Sequence, residues 1–174
     1  QNILGLTPFE SGLLLLIPAI FSIGGTPIAQ ILYKRMESRL LIIVSIFLIA
    51  LGSFILGHLT LGTTMFFVIF WLCLRYLGIG LSSMPIMDVG MEAIPKAITG
   101  HGSSLINWCK MMATSLSLSI FTMVLGVRTA HYQAYLPAAE GQLMGINDVF
   151  IYSSILLFVA TVLGVFLSKG NHSK

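Results

Sequence analysis

The sequence predicts an all-α integral membrane protein with five transmembrane helices, and three observations carry that prediction. Of the 174 residues, 56% are hydrophobic and 9% charged, and mean hydropathy is +0.96. A water-soluble domain carries about 25% charged residues, so this chain cannot furnish a water-facing surface. The apolar residues also gather in long runs, at about 11–32, 40–57, 64–87, 103–126 and 147–168. A helix of about 20 apolar residues crosses a bilayer, and backbone in lipid must satisfy its own hydrogen bonds. Finally, the run at 64–87 carries a full charge, Arg75, at its middle, near the expected membrane midplane. An arginine there costs about 2.5–3.5 kcal/mol on insertion scales, which predicts a packed polar partner or a water-filled path beside it.

The first helix has a marked start. Thr7-Pro8-Phe9-Glu10 offers an N-cap threonine, a proline at the first helical position and a glutamate at the third. That is a capping box, with the carboxylate at the positive end of the helix dipole. Pro18, Pro27 and Gly24-Gly25 follow within the span; neighbouring helices must satisfy the freed backbone groups, and the small residues permit close approach. A basic turn over residues 33–39 leads to the second span, which is free of charge from 40 to 57, and residues 58–63 form a short exit loop. The third span holds Arg75 and ends near Pro85. Asp88, Glu92, Lys96 and His101 mark a polar connection, in which Glu92 and Lys96 have the i,i+4 spacing of a surface helix pair.

In the fourth span Lys110 lies about two turns from the start, where its stem can snorkel to the nearer interface or its amine can face inward. Ser115 and Ser119 share one face, suiting close packing or a polar lining. Residues 127–146 show little periodicity and read as a long loop before the fifth span and a polar tail, Lys169 to Lys174.

The basic residues set an orientation. Lys34, Arg35, Arg39, Lys96, Lys169 and Lys174 share one side, and Arg128 alone stands on the other. The positive-inside rule puts the larger group in the cytoplasm, with the N-terminus outside and the C-terminus inside a multi-pass cell membrane protein. It also accounts for the net charge of +3 without nucleic acid as a partner. The chain opens on Gln1, with no basic residue ahead of its first apolar run, and reads as part of something longer.

Enzyme signatures are lacking. Gly78-Ile79-Gly80 brushes a dinucleotide-binding fingerprint but lies within a spanning helix, with no strand before it. His58, His101, His131 and His172 do not converge by spacing, and the two cysteines, Cys73 and Cys109, read as buried free thiols. No metal site or cofactor is expected, and no enzyme activity. Gly78 and Gly80 would let a neighbouring helix approach near Arg75, so that polar atoms could meet its five donors. Met84, Met87 and Met91, with Met111 and Met112, suit either a surface for varied apolar ligands or lipid-facing filler.

The order of these features resembles a known family. The run Ser11-Gly12-Leu13, Pro18, Pro27-Ile28-Ala29, then Leu32-Tyr33-Lys34-Arg35 and Arg39 is similar to the eighth and ninth helices of the major facilitator superfamily. There the intervening loop carries a degenerate G-x-L-a-D-R-x-G-R motif; Gly25, Leu32, Arg35 and Arg39 fit it, while Lys34 and Glu37 stand at its Asp and Gly. Arg75-Tyr76-Leu77-Gly78-Ile79-Gly80, Pro85, Ile94-Pro95, Gly102-Ser103-Ser104 and Asn107 resemble the fourteen-helix drug:proton antiporters of the EmrB/QacA type. Residues 115–119 depart from the Gly-rich pattern usual there.

The resemblance implies that residues 1–174 are five of the six helices of a C-terminal transport bundle, with the N-terminal part of the same transporter missing. It implies proton-coupled efflux of small amphipathic drug-like substrates, often cationic, through a cavity alternating between membrane faces. The candidates for lining that cavity are Arg75, Gly78, Gly80, Met84, Asn107, Ser115 and Ser119. A non-transporting membrane scaffold or sensor subunit is the alternative.

Overall fold

The computed structural model describes residues 7–92, 94 and 99–169. They form five helices: α1 (Pro8–Tyr33), α2 (Ser38–Leu56), α3 (Met65–Glu92), α4 (Thr99–Gln133) and α5 (Ala138–Lys169). Each is long and apolar enough to cross a membrane, and all regular structure among the described residues is helical. Lys96, hence the expected Glu92–Lys96 pair, Pro95 and the tail beyond Lys169 lie outside the described residues.

The capping box at the start of α1 is present. The Glu10 backbone N–H donates to the Thr7 hydroxyl at 3.3 Å, and the Thr7 backbone N–H donates to the Glu10 carboxylate at 2.9 Å. The helix runs through Pro18 and Pro27 and closes at the Leu32 carbonyl, which accepts from Arg35 and Met36. In α2 the buried hydroxyls of Ser45 and Ser53 donate to the Leu41 and Ile49 carbonyls at 2.6 and 2.8 Å, satisfying their protons within the helix.

Two boundaries differ from the sequence reading. The third helix continues past Pro85 to Glu92. Proline removes the donor that would reach the Leu81 carbonyl, but its ring is fully buried among packed helices, which sustain the turn. The expected loop over 127–146 is also largely helical: α4 reaches Gln133 and α5 begins at Ala138. Gly141 and Gly145, one turn apart, bring the two backbones together. A Cβ on Gly141 would stand 2.9 Å from the Gln133 amide nitrogen, and one on Gly145 would stand 3.0 Å from that of Thr129. Only small residues allow that approach, so the hairpin packs beyond where hydropathy fades.

Helix α3 lies between α1 and α2; α2 packs on α5, and α5 on α4, while α4 returns to α3 only sparsely. A small core of Ala29, Leu41 and Leu81, flanked by Leu32, Tyr33, Leu48 and Leu77, joins α1, α2 and α3. Most large apolar side chains instead face outward, Phe66 at 76% and Met123 at 72% exposure among them. That arrangement suits lipid as solvent, where helices associate through close packing and hydrogen bonds rather than by burying apolar surface from water.

Candidate functional site

Arg75 is half-buried in a crevice between α2, α3 and α5. Its guanidinium carbon lies 5.4 Å from the ring centroid of Phe150 on α5. Gly52 on α2 makes room for the stem, since a Cβ there would stand 3.1 Å from the Arg75 Cβ. The Nε atom is buried and has no hydrogen-bond partner. The charge is therefore met by an aromatic face, which attracts it by roughly 2 kcal/mol when desolvated. Arg75 does not sit at the midpoint of its helix: extension of α3 to Glu92 moves the centre to about residue 78, leaving Arg75 roughly 5 Å towards the N-terminal end.

A second charged group went unrecognised in the sequence. Arg128 on α4 donates through Nε to the Asp148 carboxylate on α5 at 2.5 Å, with the two side chains 35% and 18% exposed. Its Nη2 donates to the Tyr132 hydroxyl at 3.3 Å, and its guanidinium carbon lies 5.3 and 6.0 Å from the ring centroids of Tyr132 and Tyr152. The signal was present as matched i,i+4 spacings, Arg128 with Tyr132 and Asp148 with Tyr152. Two residues beyond Asp148, α5 turns Phe150 towards Arg75, so one stretch of helix serves both cations. One residue before it, Asn147 donates to the Leu59 carbonyl at 2.7 Å and ties α5 to the α2–α3 turn.

Where α3 and α4 part, a cleft of about 380 Å³ opens, lined by Ile79, Ser82, Ser83, Ile86 and Met87 from α3 and by Ile106, Asn107 and Lys110 from α4. The Ser82 and Ser83 hydroxyls donate to the Ile79 carbonyl at 2.9 and 3.0 Å. Lys110 stands in the cleft wall with its side chain exposed. A second groove of about 310 Å³ between α1 and α3 is almost wholly apolar and includes Phe21, Phe66 and the buried Cys73. Cys109 is exposed, contrary to expectation, because the face of α4 that bears it has no neighbour among the described residues.

Of the sequence candidates, Asn107 alone lines the cleft. Gly78 and Gly80 are buried in helix crossings instead. A Cβ on Gly78 would meet the Ser45 carbonyl of α2 at 3.0 Å, and one on Gly80 would overlap the Ser22 carbonyl of α1. Gly25, placed in a loop motif by sequence, is the partner of Gly80 in that crossing. These glycines draw helices close without supplying Arg75 Nε with an acceptor. Met84 is half-buried outside the cleft lining. Ser119 donates to the Ser115 carbonyl at 2.9 Å on an exposed face of α4. Leu32 closes α1, Arg35 follows in the turn and Arg39 begins α2, so the loop motif forms a four-residue turn, 34–37, at one end of the bundle. Among the described residues no three His, Cys, Asp or Glu gather as metal ligands.

Five apolar helices with a charge held inside them and an incomplete ring at the α3–α4 cleft are the architecture. The family model of the Major Facilitator Superfamily matches residues 1–118. The chain belongs to that superfamily. It is 23% identical over 211 residues to the uncharacterised MFS-type transporter YhcA of Bacillus subtilis strain 168, covering 96% of this chain and 40% of the relative. It is 22% identical over 178 residues to the lincomycin resistance protein LmrB of Listeria innocua, covering 97% of this chain and 37% of the relative. A putative multidrug resistance protein, MdtD of Pectobacterium carotovorum, is 26% identical over 164 residues, covering 92% and 33%. The chain thus spans about two fifths or less of the length of the curated relatives it matches. As in other members of the superfamily, its setting is the lipid bilayer, which it crosses several times.

Proposed function

We propose that this chain forms five helices of the C-terminal bundle of a fourteen-helix secondary transporter that exports amphipathic drug-like molecules from the cell in exchange for protons. The observation that carries the reading is the cleft between α3 and α4. Helix α3 packs closely on α1 and α2, and α5 on α2 and α4, whereas α3 and α4 part around a pocket that mixes apolar walls with Asn107, Lys110 and two hydroxyls. A drug-sized site has that character, mostly apolar with a few polar groups. Resistance named for two relatives, to lincomycin in one and to multiple drugs in another, supports a drug-like substrate.

In this reading the cleft faces the central cavity, completed by an N-terminal bundle of the same transporter. The α1–α2 turn, with Lys34, Arg35 and Arg39, faces the cytoplasm, as the positive-inside rule expects. The N-terminus is then outside and the C-terminus inside. Arg75, held by Phe150 and packed against Gly52, sets the positive potential of the interior between α2, α3 and α5. A scaffold or sensor without transport is not favoured by membership of a transporter superfamily.

Cells expressing the full-length protein test the proposal. They are expected to retain less of a lipophilic dye than control cells, with the difference abolished by a proton uncoupler. Equal dye retention in expressing and control cells would sink efflux; efflux that persists in the uncoupler would sink proton coupling alone.

A further inference from the structure

We infer that the α3–α4 cleft binds a small amphipathic organic anion, its acidic group taken by Lys110 and Asn107 and its apolar body by Ile79, Ile86 and Ile106. The inference rests on the transport reading for what the site does with its ligand, and deepens it by naming the ligand's charge.

The one formal charge in the cleft wall is positive. Lys110 offers three donors and no acceptor, and it is in no ion pair among the described residues. The Asn107 side chain beside it brings two more donors, along with one acceptor oxygen. Ser82 and Ser83 already give their protons to the Ile79 carbonyl. Against the fixed charge of Lys110, then, the walls present no carboxylate. Asp88, the next acidic residue along α3, follows Met87 and does not line the cleft.

A second, independent feature points the same way. Arg75 stands one turn before Ile79, and four residues along a helix is the same face. The α3 stripe that descends into the cleft therefore begins at an uncompensated guanidinium: Arg75 has an aromatic partner but no ion pair among the described residues. Arg75 does not itself line the cleft and Lys110 is exposed, so the two charges act on the opening as a positive potential, which favours an anion over a cationic drug. The volume of about 380 Å³ is near the lower end of ligand pockets, which run from about 300 to 1,000 Å³, and suits a single-tailed molecule rather than a two-chain phospholipid.

Purified full-length protein in neutral detergent allows the test, with dansylated undecanoate as the fluorescent probe and its methyl ester as the uncharged twin. The acid is expected to bind roughly tenfold or more tightly than the ester, from charged hydrogen bonds at Lys110. Lys110→Gln is expected to remove that advantage, so that acid and ester bind alike, while Lys110→Arg restores it. Equal binding of acid and ester to the unaltered protein would overturn the inference, as would acid binding unaffected by Lys110→Gln in a protein whose thermal unfolding is unchanged. If nanodiscs of phosphatidylglycerol, but not of phosphatidylcholine, displace the acid, the site belongs to a lipid headgroup and the small-ligand assignment falls. Dye efflux by the unaltered protein is measured in parallel. Efflux without Lys110-dependent acid binding sinks the anion site alone; Lys110-dependent acid binding without efflux sinks the transport reading alone.

Discussion

Arg128 on α4 and Asp148 on α5 form an ion pair at 2.5 Å across a stretch of sequence that hydropathy reads as a loop. The contact converts that stretch into a helical hairpin closed by Gly141 and Gly145, with Tyr132 and Tyr152 flanking the guanidinium. It also fixes the rotation of α5, which turns Phe150 towards Arg75 from two residues further on.

Asp148→Asn and Arg128→Gln should each destabilise the full-length protein, and together they should show a coupling energy of about 1 kcal/mol, the magnitude of a partly exposed pair. Thermal unfolding in detergent, run as a double-mutant cycle, measures it. Strict additivity of the two losses would mean the pair holds nothing.

The α1–α3 crossing makes a sharper contrast between adjacent residues. A Cβ on Gly24 meets nothing within 4 Å, whereas one on Gly25 stands 3.0 Å from the Leu77 carbonyl and 3.1 Å from the Gly80 Cα. Gly24→Ala is expected to be neutral or stabilising by up to about 1 kcal/mol. Gly25→Ala, and more so Gly80→Ala, should cost about 1–3 kcal/mol, because backbone on the far side cannot yield without parting the helices. Unfolding midpoints of the three variants decide it, and equal midpoints for Gly24→Ala and Gly80→Ala would contradict the crossing.

Much of this architecture was legible in the residues. Composition and run length sufficed for five membrane helices, and Thr7-Pro8-Phe9-Glu10 specified its cap because every bond involved is local. Arg75 was visible as a costly charge for the same reason. What escaped depends on two helices at once. Hydropathy cannot report that Gly141 faces Gln133, nor that Gly25 belongs to a crossing with Gly80 rather than to a loop motif, since glycine spacing is the same in either use. Lys110 was ambiguous because which face of α4 meets α3 depends on the rotation of the helix, which hydropathy does not report. Pro85 misled by its usual role as a helix terminator, which packing within the bundle overrides.

Arg75 permits a separation of structural from transport roles. Its Nε lacks an acceptor, so the charge contributes little to folding beyond its stacking on Phe150. Replacing a buried charge by an apolar side chain of similar length is often neutral or stabilising. Arg75→Leu is therefore expected to leave the unfolding midpoint unchanged or raised, while dye efflux falls at least tenfold. Loss of stability in step with efflux would instead make Arg75 a folding residue.

If the opening between α3 and α4 is a path for solute, a thiol placed on its wall must be reachable from water and shielded by substrate. Asn107→Cys, in a full-length protein whose exposed Cys109 is replaced by serine, places a thiol on the wall of that opening. A membrane-impermeant methanethiosulfonate reagent should modify this cysteine in inside-out vesicles, and a transported substrate should slow the modification at least several-fold. A thiol that reacts at the same rate with and without substrate, or that the reagent never reaches, would contradict the assignment of the cleft to transport.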